Sequence, residues 1–216
     1  MASLTNLIRL GTSRFTVPVP RAKKDYATHI PALIGLARWK QIRSVLELGS
    51  GLYSTATFLN KTSFPDLQVL DSFETDSGWA DTMKAVISGD PRASLKVAGG
   101  TMAAALSDFQ LNNYDLIFID DSVSAEDRAR TILAVHERNP GNSLVVIHDF
   151  EVSQYRNVAR CFHHRYAFRA FNPETGVAWQ NGIATSDAFK KIDAVMKRHA
   201  DRLEPDDLEG WISAFS

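Results

Sequence analysis

From residue 30 onwards the apolar positions of the chain switch repeatedly between a helical and an extended period. IPALIGLARWKQI (30–42) spaces its apolar residues along one helix face, and SVLEL (44–48) follows as a short aliphatic strand. Further strands are predicted at LQVLDSF (67–73), ASLKVAG (93–99), YDLIFID (114–120) and NSLVVIHD (142–149). Helical stretches separate them at 54–61, 77–88, 101–110 and 124–138, and another follows at 152–162. Ser54 or Thr55 stands where it can cap the helix 54–61, and Ser124 with Asp127 forms a capping box on 124–138. The runs LIFI and LVVI carry no polar alternation, as strands covered on both faces should not. Strand alternating with helix in this way predicts a doubly wound α/β sheet.

After residue 165 the rhythm changes. YAFRAF (166–171) and GVAWQNGIA (176–184) flank NPETG, where Pro173 and Gly176 mark a turn, so an antiparallel hairpin is expected. The segment 186–203 then sets Phe189, Ile192, Val195, Met196, His199 and Leu203 on one stripe, read as core packing. These elements define one domain over 30–203, preceded by an arm at 1–29 that VPVP keeps extended, and followed by a tail at 204–216.

Composition changes this picture little. A chain of 216 residues, 44 % hydrophobic and 23 % charged, builds one sizeable core. A net charge of -1 gives no pull towards nucleic acid or an anionic membrane, and Arg21, Lys23 and Lys24 read as a solvated arm. Cys161 is the single cysteine, so there is no internal disulfide and no cysteine zinc cluster, and it reads as a small half-buried side chain. The first residues lack a signal-peptide core, and no apolar run approaches the ~18 residues of a membrane span. A soluble, cytoplasmic protein is expected.

Chemistry concentrates at strand ends, where doubly wound sheets bind ligands. In VLELGSGLYSTATFL (45–59), Gly49 and Gly51 let backbone approach a ligand, and the helix after them offers free N–H groups. A tight turn would use the same glycines. Glu74, however, ends the second strand 23 residues after Gly51, where an acid can accept from ribose hydroxyls; Asp71 and Asp76 are the competing carboxylates. A nicotinamide dinucleotide loop wants G-x-G-x-x-G, and Ser54 stands at the third glycine position. Glu47 beside the loop would also repel a pyrophosphate, whereas a carboxylate there suits the sulfonium and amino groups of S-adenosylmethionine.

The motif E-x-G-x-G in VLELGSG, then Glu74, YDLIFID, VVIHD and the closing hairpin together resemble the class I S-adenosylmethionine-dependent methyltransferases over about residues 30 to 184. The resemblance implies a seven-stranded, mostly parallel sheet of order 3-2-1-4-5-7-6 with an antiparallel closing hairpin. It further implies that Gly49 and Gly51 line the methionine portion, that Glu74 holds the ribose, and that Thr101 and Met102 in GGTMA lie near the adenine. Many members carry a third glycine where this chain has Tyr53, so a bulkier loop is expected with Tyr53 over the ligand. Glu47, Ser54 and Asp120 complete the candidate cofactor set.

Asp120 and Asp121 end the fourth strand, and His148 and Asp149 the fifth, so the four are expected as neighbours about 4.8 Å apart. His148 could take a proton from a substrate, with Asp149 and Asp121 beside it. Asp120 and Asp149 could instead hold magnesium. Equally, Asp149 could cap the next segment and His148 satisfy a carbonyl. The chain is similar to the metal-dependent catechol-type O-methyltransferases at ID and HD, but has Phe150 where they have Asn. His163 and His164 read as surface histidines, while Tyr155 and Arg156 border a pocket or belong to an amphipathic helix.

The expected activity is methyl transfer to a small-molecule acceptor, at a hydroxyl oxygen, by an enzyme that binds neither nucleic acid nor membrane and could form a homodimer. Acceptor choice is expected in the arm 1–29, the stretch 150–165 and the hairpin. An aminopropyl transferase of the spermidine synthase type, faintly suggested by DDS (120–122), and a non-catalytic S-adenosylmethionine-binding module are the alternatives. A nicotinamide oxidoreductase is disfavoured by Glu47 and the missing glycine.

Overall fold

The computed structural model describes residues 24–216 except 110, 140, 181 and 183, so most of the arm, with Arg21 and Lys23, lies outside the described residues. Seven strands form one sheet of order β3-β2-β1-β4-β5-β7-β6. They are β1 Ser44–Leu48, β2 Val69–Glu74, β3 Ala93–Val97, β4 Leu116–Ile119, β5 Leu144–Ile147, β6 His164–Phe168 and β7 Thr175–Trp179. All pairings are parallel except those of β7, which runs antiparallel to both β5 and β6. The seven-stranded order and the closing hairpin are those expected from the sequence.

Residue parity along the strands divides the core. Val45, Leu116, Phe118, Leu144 and Val146 face an upper layer made by α1 (Ile30–Trp39), α2 (Leu52–Leu59), α7 (Ser186–His199) and α8 (Leu208–Ala214). Leu46, Leu48, Ile117, Ile119, Val145 and Ile147 face a lower layer made by α4 (Met102–Ala105), α5 (Ala125–Arg138) and α6 (Ser153–Val158). β4 and β5 are buried at every residue, which is why their sequences show no alternation. The stripe on α7 buries Phe189, Ile192 and Met196 in the upper core, with Val195 and His199 at its margin.

Two local expectations are corrected, and the tail at 204–216 carries α8, whose Trp211 is fully buried and stacks edge-on against Phe171. Its short polar lead-in, EPDD, hid a helix that Trp211 anchors, with Leu208, Ile212 and Phe215 packed beside it. Gly176 lies inside β7 rather than in the turn, because a side chain there would enter the ring of Phe150, 2.3 Å from a Cβ. Only half of the capping box forms on α5. Ser124 Oγ accepts from the Asp127 N–H at 3.3 Å, but the Ser124 N–H goes to Ser122 Oγ, 3.0 Å away.

Candidate active site

The loop after β1 is shaped by a carboxylate beneath it. Glu47 is completely buried on the upper side of the sheet. Its Oε1 accepts from Ser54 Oγ at 2.6 Å and Thr55 Oγ1 at 3.0 Å, and its Oε2 from Thr55 Oγ1 at 2.8 Å and Ser72 Oγ at 2.5 Å. The start of α2 and the middle of β2 are thereby tied to one side chain. Ser54 and Thr55, expected to cap α2, serve Glu47 instead, and the cap position falls to Gly51. With its surface covered, Glu47 braces the loop from beneath and presents no oxygen to open space.

Burial pushes the Glu47 carboxyl up to about 7, and the hydroxyls of Ser54, Ser72 and Thr55 only partly oppose this. A carboxyl raised in the folded chain contributes stability that is full below its unfolded value of about 4.5 and is lost as pH rises through about 7. Glu47→Gln removes this titration, and its hydroxyl neighbours can rotate to meet an amide. The variant is expected to gain on the order of 3 kcal/mol on the parent between about pH 5 and about pH 8 in urea unfolding. Parallel pH profiles for the two proteins would refute the assignment.

Glu74 ends β2 at the same edge. Its Oε1 accepts from the N–H groups of Thr75 at 2.7 Å and Asp76 at 3.0 Å, and its Oε2 accepts from Ser50 Oγ at 3.1 Å. A carboxylate takes about four donors, so one place remains on Oε2 for a ligand hydroxyl. The competing acids are otherwise engaged. Asp71 accepts from Ser94 Oγ at 2.5 Å and the Tyr114 hydroxyl at 2.6 Å, while Asp76 caps α3 (Ser77–Ile87) by accepting from the Trp79 N–H. The Trp79 indole N–H in turn holds the Ser50 carbonyl at 2.7 Å.

The glycines divide their duties. Gly49 has φ of 88° and packs so closely on the exit of β4 that a Cβ would sit 2.2 Å from the Asp120 carbonyl oxygen. Gly51 has an ordinary extended backbone and would set a Cβ near one side-chain atom, Ser54 Oγ at 2.8 Å. Gly49 thus fixes the loop, and Gly51 leaves its outer side open. After β3, Gly99 and Gly100 border open space, with nothing within 4 Å of an added Cβ. Thr101 caps α4 there and is exposed, whereas Met102 is buried in the lower core. Tyr53 is half-buried against the upper core, its phenol raised by burial and then by Asp206.

At the ends of β4 and β5 the parity of the strands separates the four expected neighbours. Asp120 and His148 turn to the upper side. His148 is buried, with Nδ1 3.3 Å from Asp120 Oδ2 and 3.5 Å from Asp149 Oδ1, and Nε2 3.0 Å from Thr28 Oγ1. Asp121 and Asp149 turn towards α5. Asp149 adopts a left-handed backbone, φ 54°, a region where Asp is tolerated better than most residues.

Arg128 on α5 knits the cluster together. It is buried, contacts Asp120 Oδ1 at 2.8 Å and Asp149 Oδ2 at 2.7 Å, and approaches Asp121 Oδ1 at 4.0 Å. Its guanidinium lies 5.3 Å above the Tyr155 ring. Burial opposes the charge on Asp120, but the His148 hydrogen bond, then His148 and Arg128 charges, hold its pKa below the usual carboxylate range. Burial likewise opposes charge on His148, and Asp120 outweighs it, so the imidazole titrates above its ordinary value. Burial raises Asp121 to about 6. Magnesium does not fit the Asp120–Asp149 pair as arranged, because a guanidinium joins the two carboxylates and Phe150 supplies no third oxygen.

Sequence reasoning missed Arg128, Thr28 and His29. Arg128 sits in AEDRAR, which reads as the solvated start of a helix, and the other two fall in the stretch taken as an arm. Among the residues read as pocket candidates, Arg156 binds the Phe150 carbonyl and Glu174, and Tyr155 is core. Cys161 is half-buried with its thiol raised by burial, and His164 stacks on Trp179 at 5.2 Å. No helix among the described residues is long and apolar enough to cross a membrane.

Comparison with known proteins bears on the fold. Residues 46–150 match the family described as a methyltransferase domain. No curated protein matches the chain in sequence. Similar solved structures include a spermidine synthase in complex with the transition-state analogue AdoDATO, 17 % identical with TM-score 0.56, covering 90 % of this chain and 71 % of that one. Human methyltransferase-like protein 13 in complex with SAH is 15 % identical with TM-score 0.54, over 82 % of this chain and 93 % of that one. An O-methyltransferase family protein from Burkholderia thailandensis is 11 % identical with TM-score 0.52, over 75 % of this chain and 58 % of that one.

Proposed function

We propose that this chain, whose residues 46–150 match a methyltransferase domain, is a class I S-adenosylmethionine-dependent methyltransferase that methylates a hydroxyl oxygen of a small-molecule acceptor. S-adenosylmethionine supplies an electrophilic methyl group. The residues present suit that ligand: Glu74 keeps one acceptor place, Gly51 leaves room beside the loop, and Gly99 and Gly100 border open space.

The observation that carries the hydroxyl reading is the line from Asp120 through His148 to Thr28. Thr28 also lines a cavity of about 250 Å³ with Phe171, Asn172, Arg202 and Leu203. That volume lies just under the ~300–1,000 Å³ of drug-sized ligand sites and suits a small acceptor. The acceptor hydroxyl would meet Thr28 there, and its proton would pass to Nε2 of His148. Asp120 would hold the other ring nitrogen and stabilise the imidazolium, as the raised pKa of His148 favours. The walls of the cavity come from the β6–β7 connection and the segment before α8, so acceptor choice rests with them and with residues 26–29.

Aminopropyl transfer is the second reading, favoured by the spermidine synthase likeness over 90 % of the chain. Against it, Arg128 engages Asp120 and Asp149, the carboxylates that would face a polyamine. Calorimetric titration with S-adenosylmethionine and with its decarboxylated form separates the two, and turnover with hydroxylated acceptors separates both from a silent binding module. Wild-type protein is expected to prefer S-adenosylmethionine, and Glu74→Ala to weaken it at least about tenfold through a lost charge-assisted bond. Preference for the decarboxylated donor would overturn methyl transfer, and unchanged affinity in Glu74→Ala would remove the ribose assignment.

A further inference from the structure

His29 stands out among the buried polar groups. It is 2 % exposed, yet neither ring nitrogen has a hydrogen-bond partner among the described residues. A buried imidazole without partners is costly, and natural structures rarely leave one so without a reason. Its ring meets His148 edge-on at 4.9 Å between centroids and leans on Phe118 at the same distance. Donor atoms of His29, His148 and Asp120 all lie within 4.8 Å of one another.

We propose that His29, His148 and Asp120 form a binding site for a divalent transition-metal ion, with zinc as its first occupant. The three donors are brought together by different elements: the start of α1 and the ends of β5 and β4. Two imidazoles and one carboxylate suit zinc and its neighbours, whereas magnesium prefers oxygen donors throughout. Zinc–ligand distances of about 2.0–2.2 Å are reached from this spacing by small side-chain rotations.

The charge balance supports the assignment. Among the described residues, the surroundings hold three carboxylates, Asp120, Asp121 and Asp149, against the single guanidinium of Arg128. A divalent cation would meet that excess of negative charge. Three protein ligands leave an open position, as metal sites that handle substrate do, and an acceptor oxygen entering it would be favoured in its ionised form. With the ion bound, His148 is a ligand and the metal takes over the activation assigned to it above. The metal site itself stands on the donor geometry and holds whether or not the acceptor is a hydroxyl.

The test uses the full chain, any histidine tag removed, stripped with a chelator and titrated with zinc chloride or magnesium chloride by calorimetry. Bound metal is counted by mass spectrometry, and S-adenosylmethionine is titrated alongside. The expected result is one zinc per chain, no comparable magnesium uptake, and at least about tenfold weaker zinc binding in His29→Ala with S-adenosylmethionine affinity retained. Should His29→Ala fail to fold, His29→Gln keeps a side chain of similar bulk and carries the same expectation. No zinc uptake by the parent chain, or equal uptake by the His29 variant, overturns the site. Zinc uptake without S-adenosylmethionine binding leaves the metal site standing and removes the donor reading instead.

Discussion

Replacing Gly49 by alanine is expected to cost about 2–5 kcal/mol of stability and to abolish binding of S-adenosylmethionine. Two causes act together. The left-handed backbone, φ 88°, penalises any Cβ, and that Cβ would lie 2.2 Å from the Asp120 carbonyl oxygen and 2.6 Å from Asp121 Cα. These are backbone atoms at the exit of β4, so they cannot swing aside, and the Gly49 N–H is itself bonded to the Phe73 carbonyl at 2.9 Å. Relief requires β1 and β4 to part where the ligand edge is built. Gly51→Ala provides the contrast. Its backbone is ordinary and its single close neighbour is a hydroxyl, so this variant is expected to fold with a near-parental melting temperature and to lose affinity by occupying ligand space. Thermal melts and donor titration of the pair decide the matter, and equal behaviour of the two variants would refute the division of roles.

Arg128→Met is expected to lower stability by about 3–5 kcal/mol, which for a domain of this size is roughly 6–20 °C in melting temperature. The methionine fills much of the volume over Tyr155 but leaves Asp120 and Asp149 without the guanidinium 2.8 and 2.7 Å away. Removing one partner of a buried ion pair strands the remaining charge, which costs more than the pair contributed. Arg128→Lys should recover little, because an ammonium cannot bridge two carboxylates in one plane. Adding Asp149→Asn to Arg128→Met should recover part of the loss by removing one of the stranded charges. A melting temperature for Arg128→Met within a degree or two of the parent would mean that the network is solvated and structurally idle.

Much of the molecule was decided by the sequence itself. Segments that bury both faces must be apolar throughout, so LIFI and LVVI declared β4 and β5, and the change of rhythm after residue 165 declared the hairpin. The positions of the E-x-G-x-G loop and Glu74 at one edge of the sheet were legible because chain geometry places strand exits there whatever the loops contain. Tertiary structure alone decided how the polar groups are shared. Ser54 and Thr55 read as caps because capping is local, yet Glu47, seven and eight residues earlier, takes their hydroxyls. Arg128 reads as a solvated helix residue because periodicity registers burial along one element, and its burial comes from carboxylates on two strands. Met102 turns to the core and α8 docks through Trp211 for the same reason: packing partners are chosen across the fold. Thr28 and His29 were invisible as site residues since their partner His148 lies about 120 residues away. Local pattern reports which face of an element is dry, whereas the pairing of remote polar side chains is set when the sheet closes and buried groups must find donors and acceptors.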